Sequence, residues 1–272
     1  MSVSSGKWGD LGPRVLSGVA MAVIGIAAVW LGGFWMHLLV SLACGLMVWE
    51  LARMLNPSET QTPIWIGLVG GGALFAASFA PYATLILPFL IAPSLVGQSM
   101  LKGEELPRNG KAIFVAYSIG ILVAGYSLIS LRDLFGASWF VWLILVVIAT
   151  DVAGYFAGRT FGGPKFWPRV SPKKTWSGTV AGWFAAAIIG VFFMFYMNSG
   201  GLVVAISVAL ALASQMGDIA ESAIKRHVGI KDSSNLIPGH GGLLDRFDGV
   251  LGAALLLIVI GAFVAFPPSV IG

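Results

Sequence analysis

The chain has 272 residues, of which 57% are hydrophobic and 10% are charged, and its mean hydropathy is +0.90. One core of this size cannot hide so much apolar surface, so the composition excludes an ordinary soluble domain and indicates a membrane protein. Basic loops on one side of a membrane explain the net charge of +4, and no nucleic-acid partner is predicted from it. The single cysteine, Cys44, excludes an intramolecular disulfide.

Apolar runs that are long enough to cross a bilayer recur along the whole chain. A transmembrane helix needs roughly 17 to 25 residues to cross about 30 Å of hydrocarbon, and about nine runs meet this length. They begin near Val15, Gly33, Ile64, Tyr82, Ala112, Ala137, Trp176, Gly201 and Gly249. The sequence therefore predicts an all-α integral membrane protein. In the third run, small residues favour close helix packing or a subunit contact.

The basic residues predict the orientation of these helices, because cytoplasmic loops accumulate Lys and Arg. With the N-terminus inside, Arg132 is the only one of the 16 Lys and Arg residues that falls outside. We therefore expect a cytoplasmic N-terminus and a C-terminus on the opposite face. Residues 1–135 are predicted to be a scaffold of N-terminal and middle transmembrane helices, a candidate for lipid or subunit contacts. Residues 136–272 are predicted to be the catalytic transmembrane region, with two charged cytoplasmic loops.

The first charged loop joins the sixth and seventh runs, within the segment TDVAGYFAGRTFGGPKFWPRVSPKKTWSG at residues 150–178. The segment opens with Asp151 at the end of the sixth run. Lys173 and Lys174 come directly before Thr175, and we expect the seventh helix to begin here with hydroxyl caps. A helix N-terminus beside two lysines attracts phosphate. A basic loop that sets topology and touches lipid headgroups explains the same residues equally well.

The eighth run ends in SQMGDIAESAIKRHVG. Helical spacing places Asp218, Glu221, Ser222 and Lys225 on one face of that helix. An acid this close to an apolar run is costly, so Asp218 is predicted to pair with a cation or to bind a metal. A salt bridge from Asp218 to Lys225 or Arg226 is the purely structural alternative.

The second charged loop contains Gly-His-Gly-Gly and then Asp245 and Asp248, directly before the ninth run. Mg²⁺ prefers carboxylate and phosphate oxygens, so carboxylates at the ends of two adjacent helices predict a magnesium site. His240 could bind phosphate, transfer a proton or cap the turn, and the residues alone favour the cap. Carboxylates, basic side chains and glycine turns at one membrane boundary are the parts that phosphoryl or nucleotidyl transfer requires.

Residues 222–248 follow the spacing S-x-I-K-R-x₄-K-D-x-S-x₂-I-P-x-H-G-G-L-x-D-R-F-D. This spacing resembles the signature of the phosphatidate cytidylyltransferase (CDP-diacylglycerol synthase) family. The upstream segments D-x-x-G-Y-x-x-G-R-x-F-G and S-P-K-K-T resemble the same family. Two positions depart from its pattern. Ser177 stands where a Glu is expected, and Gly154 stands where Ala is more frequent.

The resemblance implies a Mg²⁺-dependent enzyme that transfers the cytidylyl group of CTP to phosphatidate, giving CDP-diacylglycerol and pyrophosphate. It also implies a homodimer in the cell (inner) membrane with its active site facing the cytoplasm, and leaves a second cation open. Catalytic roles fall on Asp218, Lys225, Arg226, Asp245, Arg246 and Asp248, with the three aspartates as metal ligands. Substrate-binding roles fall on Asp151, Arg159, Lys173, Lys174, Thr175, Ser222, Lys231, Asp232, His240, Gly241 and Gly242.

Two other functions remain open. A CTP-dependent polyprenol or dolichol kinase would use similar metal and phosphate ligands to move the γ-phosphoryl group to an alcohol. A non-enzymatic transporter or lipid-binding scaffold would explain the charges by topology and salt bridges. A transporter, however, is expected to carry polar groups near the midplane of the bilayer, and here they collect at one interface.

Overall fold

The computed structural model describes residues 11–103 and 106–268, which contain nine α-helices and one β-hairpin. The helices are α1 (Leu11–Leu31), α2 (Gly33–Leu55), α3 (Gln61–Ser78), α4 (Ala83–Met100), α5 (Gly110–Phe135), α6 (Ala137–Phe161), α7 (Trp176–Tyr196), α8 (Leu202–His227) and α9 (Leu244–Phe263). The hairpin lies between α6 and α7 and consists of β1 (Lys165–Trp167) and β2 (Ser171–Thr175). The predicted orientation rests in part on Lys7 and concerns both chain ends, and these residues lie outside the described part of the chain.

Seven of these helices, α2 and α4 to α9, are long and apolar enough to cross a membrane. The apolar segment of α1 is shorter and covers Val15–Leu31. The predicted class, a helical membrane protein, is confirmed, with the small hairpin as an addition. Nine crossings, the orientation of the termini and the division at residue 135 stay predictions.

The ninth helix begins earlier than the sequence predicted. It starts at Leu244 rather than near Gly249, so Asp245 and Asp248 lie inside its first two turns and not before it. The backbone amides of Leu243 and Leu244 donate to the carboxylate of Glu50 in α2. These bonds satisfy amides that a helix start otherwise leaves unpaired. Helix α9 can therefore begin at Leu244, within the polar segment that precedes the apolar run.

The seventh helix begins at Trp176, directly after the adjacent lysines and Thr175, as predicted, but the strand that contains the lysines was not predicted. Lys173 and Lys174 belong to strand β2, which pairs antiparallel with β1. Successive side chains of a strand point to opposite faces, so the two ammonium groups diverge. The predicted hydroxyl cap is confirmed at Thr175, whose Oγ1 accepts a hydrogen bond of 3.3 Å from the backbone amide of Gly178.

Glycines bring several helices into backbone contact. Between α2 and α3, a Cβ atom at Gly45 would lie 2.8 Å from the carbonyl oxygen of Gly67, which confirms the close packing predicted for the third run. Between α8 and α9, a Cβ atom at Gly217 would overlap the carbonyl oxygen of Asp248. The α8–α9 contact places the acidic face of α8 beside the first turns of α9.

Candidate active site

Lys225 connects α8 to α9 through two carboxylates. Its Nζ donates to Glu221 Oε2 at 2.7 Å and to Asp245 Oδ1 at 2.5 Å. The Glu221 contact joins residues i and i+4 of one helix, as the sequence spacing predicts. The Lys225, Glu221 and Asp245 side chains are 11%, 1% and 8% exposed, so all three charges are largely removed from solvent. The cluster fixes the start of α9 against the end of α8.

The second oxygen of Asp245 organises the loop that precedes α9, which we call the signature loop (residues 231–243). Asp245 Oδ2 accepts hydrogen bonds from the backbone amide of Ser233 at 2.9 Å, its Oγ at 2.9 Å and the backbone amide of Gly242 at 2.8 Å. Gly241 has a φ of +84°, and a Cβ atom there would lie 2.9 Å from Asp245 Oδ2. Both oxygens of Asp245 are therefore engaged by groups of the protein itself.

Three further carboxylates, Asp218, Glu221 and Asp248, form what we call the carboxylate cluster. Asp248 lies close enough to Asp218 and Glu221 for their charges to interact. Glu221 Oε1 is buried and has no hydrogen-bond partner in the described part of the chain. The Asp248 carboxylate accepts a bond of 2.7 Å from the backbone amide of Gly249. Negative charge at the α8–α9 contact is therefore only partly compensated.

The donor set of the carboxylate cluster fits a hard divalent cation. Mg²⁺ usually takes one or two carboxylates and completes its shell with water and substrate phosphates. The unpartnered Oε1 of Glu221 and the like charges beside it are consistent with that chemistry. Asp245 fits less well, because a metal would have to displace four donors from its two oxygens. Asp218 carries fewer, the Lys174 ammonium group and the Ser222 hydroxyl group. Within residues 11–103 and 106–268, no three His, Cys, Asp or Glu side chains are placed to hold a metal by themselves. Magnesium stays a prediction.

The hairpin brings a second cation to this cluster. Lys174 Nζ lies 2.5 Å from Asp218 Oδ2 and donates to the carbonyl oxygen of Gln215 at 3.5 Å. Asp218 therefore pairs with a cation, as predicted, but the partner is Lys174 and not Lys225 or Arg226. Asp151 lies within α6, ten residues before its end at Phe161 and not at the end as the sequence predicted. It is near enough to interact electrostatically with Lys174 and Asp218. Two segments far apart in sequence therefore meet at one site.

Other predicted residues of the first loop lie at its edge. Lys173 is exposed on the opposite face of β2 from Lys174. Arg159 is exposed at the end of α6 and donates to the hydroxyl group of Tyr155 at 2.7 Å. Ser177, where the family pattern has Glu, donates at 2.5 Å to the carbonyl oxygen of Gly162 and so ties the start of α7 to the end of α6.

The signature loop lines most of an open polar pocket of about 390 Å³. Its lining includes Lys231, Asp232, His240, Gly241 and Arg246. Arg246 donates through Nε at 2.9 Å and through Nη2 at 2.5 Å to the carbonyl oxygen of His240, so the guanidinium group is held in one orientation. The ring Nδ1 of His240 lies 2.9 Å from Ser17 Oγ in α1. The pocket combines oriented basic groups with a glycine-rich backbone.

Two residues of the predicted set, Arg226 and Ser222, lie near the C-terminal end of α8. Arg226 is exposed and donates at 2.9 Å to the carbonyl oxygen of Ile230, just beyond the helix. Ser222 donates at 3.3 Å to Asp218 Oδ1.

Two acids of the site were not predicted as site residues. Glu221 lies on the predicted helix face, but no role in the site was predicted for it. Glu50 was missed altogether, and an acid within an apolar run was the available signal.

An apolar groove of about 540 Å³ runs between α5, α8 and α9. Small and apolar side chains, including Ala116, Gly120, Ala213 and Leu255, line most of it. Asp248 lines the same groove and also belongs to the carboxylate cluster. The apolar groove and the carboxylate cluster therefore share Asp248.

Apolar helices that carry clustered carboxylates and a basic, glycine-rich loop have the parts of a membrane enzyme of phosphoryl or nucleotidyl transfer. The particular family follows from comparison with known proteins. The model of the cytidylyltransferase family matches residues 12–264, and the chain belongs to that family.

Individual relatives match the chain over nearly its whole length. It is 37% identical over 276 residues to a phosphatidate cytidylyltransferase of Brucella suis biovar 1 (strain 1330), covering 96% of this chain and 98% of the relative. It is 28% identical to the protein of that name from Bacillus subtilis (strain 168), covering 89% and 94%. For the protein of that name from Staphylococcus aureus (strain COL) the identity is also 28%, over 91% and 97%. The resemblance seen in the signature is confirmed.

Proposed function

We propose that the protein is a phosphatidate cytidylyltransferase, which converts CTP and phosphatidate to CDP-diacylglycerol and pyrophosphate. The substrate assignment follows the names of the relatives. One observation carries it to this chain: Asp248 belongs both to the apolar groove and to the carboxylate cluster. A reaction between a lipid and a nucleotide needs such a shared edge, because the reacting phosphates must meet there.

The polar pocket is the place proposed for the triphosphate of CTP. Arg246 is exposed and already oriented by His240, and Lys231 is exposed on the same pocket wall. A guanidinium group whose direction is fixed binds phosphate oxygens with little loss of side-chain freedom. The glycine-rich backbone of the loop allows phosphate to approach closely.

The apolar groove is the place proposed for an acyl chain of phosphatidate. Its walls belong to α5, α8 and α9, which are all apolar enough to cross a membrane. A chain that lies there would bring the lipid phosphate toward Asp248. Lys174 approaches the same cluster from the hairpin and would contribute positive charge near that phosphate.

Magnesium, once bound, would neutralise the repulsion between the substrate phosphates and the carboxylates. Asp218, Glu221 and Asp248 would hold it, and Asp245 would keep its role in the signature loop. Whether a second cation joins it stays open. The ligand set rests on the unpartnered Glu221 Oε1 and on the interacting charges of the three acids.

The proposed chemistry is an in-line displacement. An oxygen of the phosphatidate phosphate attacks the α-phosphorus of CTP, and a new P–O bond forms. The bond from the α-phosphorus to its bridging oxygen breaks, and pyrophosphate leaves with that electron pair. The nucleophile is already anionic, so the protein needs no strong general base. Its residues instead position the two phosphates and balance their charge.

The reaction is proposed to take place at the cytoplasmic face of the cell (inner) membrane, because CTP is a cytosolic nucleotide and the basic loops predict that side. The homodimer implied by the resemblance stays a prediction.

Substrate dependence tests the proposal. Protein purified in detergent is incubated with Mg²⁺ and CTP, together with phosphatidate, a polyprenol or neither. We expect pyrophosphate and CDP-diacylglycerol to form in equal amounts when phosphatidate is present, and neither product to form with the polyprenol or without lipid. Release of CDP with the polyprenol would support the kinase, and no turnover with either lipid would support a transporter or scaffold. Asp218→Asn should be inactive, whereas Glu59→Gln, in the exposed turn after α2, should retain activity.

A further inference from the structure

Glu50 lies near the end of α2, far along the chain from the signature loop, yet it contacts that loop directly. We propose that Glu50 is a positioning residue that fixes the signature loop in the conformation that binds phosphate. The proposal rests on the proposed use of this loop by CTP. Its first consequence, the conformation of the loop, can be measured without substrate.

Four donors of the loop and the start of α9 converge on the Glu50 carboxylate. Oε1 accepts from Ser234 Oγ at 2.5 Å and from the backbone amide of Leu243 at 2.9 Å. Oε2 accepts from the backbone amide of Leu244 at 2.7 Å and from Ser233 Oγ at 3.4 Å. Glu50 is completely buried. An ionised carboxylate suits this arrangement because it accepts hydrogen bonds at both oxygens and donates none.

Glu50 also replaces a cap that α9 does not supply for itself. The N-cap residue is Leu243, whose side chain has no oxygen, and no side-chain cap from that residue is present. Unpaired amides at a helix start favour a negative group, both as hydrogen-bond donors and through the helix dipole. The Glu50 carboxylate satisfies the amides of Leu243 and Leu244 from a different helix.

Glu50 and Asp245 hold the two ends of the loop together. Ser233 Oγ donates to Asp245 Oδ2 and also lies within 3.4 Å of Glu50 Oε2. A Cβ atom at Gly242 would overlap Ser233 Oγ and would lie 2.5 Å from Glu50 Oε1, so only glycine fits between these groups. The loop is therefore fixed near residues 233–234 and 242–244. The residues between these anchors form much of the wall of the polar pocket.

The test compares Glu50→Gln with the matched control Glu59→Gln, which changes an exposed acid beyond the same helix. A glutamine keeps the size of the side chain but turns one acceptor into an NH₂ donor, which faces the donors of the loop. We expect faster amide hydrogen exchange in residues 231–247 and unchanged exchange in α5 and α6. We also expect the KM for CTP to rise by about tenfold or more, the size of one lost charge-assisted hydrogen bond, while the KM for phosphatidate changes by less than about twofold.

Unchanged exchange in residues 231–247 would overturn the proposal, and so would faster exchange in all helices alike, which would identify a general packing role. Equal changes in both KM values would also contradict it. Ser234→Ala provides a second variant that removes one donor to Glu50 without altering a buried charge, and we expect a smaller effect in the same direction. If loop exchange rises in both variants but wild-type protein makes no CDP-diacylglycerol, the positioning role stands and the proposed function fails.

Discussion

Lys225 Nζ and Asp245 Oδ1 lie 2.5 Å apart and join the end of α8 to the first turn of α9. The other oxygen of Asp245 holds Ser233 and Gly242 of the signature loop. Asp245 thus organises the loop in this structure, although the family resemblance implied a metal ligand. The carboxylates at the α8–α9 contact divide into a loop-holding residue and the cluster proposed for magnesium.

Removing the charge of Lys225 should destabilise the protein strongly. Lys225→Met leaves Glu221 and Asp245 buried without their cation, and breaking a buried ion pair in this way costs about 3 kcal/mol or more. We expect a lower thermal unfolding temperature in detergent together with loss of activity. Arg226→Met, which removes an exposed side chain, should unfold close to wild type. Equal unfolding temperatures for Lys225→Met and wild type would show that the buried cluster contributes little.

Magnesium dependence should distinguish Asp248 from Asp245. If Asp248 helps to hold the metal, Asp248→Asn should raise the Mg²⁺ concentration for half-maximal activity by about tenfold or more. Asp245→Asn should lower activity at every Mg²⁺ concentration, because it loosens the loop, without a comparable shift in the midpoint. Titration of activity with Mg²⁺ measures both effects. A shift in Asp245→Asn alone would assign the metal to Asp245, as the family resemblance implied.

The two adjacent lysines should differ although their sequence positions look equivalent. Lys174 is paired with Asp218, whereas Lys173 lies on the other face of the strand. Lys174→Gln should lower kcat/KM by about tenfold or more, the range of a lost hydrogen bond to a charged group. Lys173→Gln should change it by less than about threefold. Steady-state assays of both variants decide the point, and equal losses would mean that both lysines reach substrate.

Sequence reasoning succeeded where a local period determines the structure. Apolar length predicted the order of the helices, and helical spacing placed Asp218 beside Ser222 and Glu221 beside Lys225. The start of α9 could not be predicted in the same way, because the carboxylate that caps it comes from Glu50 in a distant helix. Local sequence carries no signal for such a contact.

The roles of the individual charged residues within the site could not be predicted from the sequence either. From sequence, Lys173 and Lys174 are predicted to bind phosphate as a pair. In the structure they are successive residues of strand β2, so their side chains point to opposite faces. Asp245 and Asp248 have the same side chain, and only their contacts separate a saturated loop anchor from a member of the carboxylate cluster. Partner choice among charged groups depends on distances across helices, which a single sequence does not contain.

The apolar groove should control the acyl chains that the enzyme accepts. Gly120 lines the groove, and a Cβ atom there would meet Leu255 at 3.6 Å, so a larger side chain would narrow it. Gly120→Leu should reduce turnover of long-chain phosphatidate by about tenfold or more and leave that of a short-chain analogue within about threefold. Gly72→Leu is the matched control, because Gly72 is exposed in α3 and a Cβ atom added there would have no neighbouring atom within 4 Å. Equal loss for both lipids would place the chains elsewhere.

The most direct test of the account follows both ends of CTP in one reaction. Purified protein is given Mg²⁺, phosphatidate and CTP that carries tritium in cytidine and phosphorus-32 in the γ-phosphate. We expect tritium in the lipid fraction, phosphorus-32 in pyrophosphate, and neither transfer with Asp218→Asn. Phosphorus-32 in the lipid fraction without tritium would contradict it, because the γ-phosphoryl group would then be the group transferred.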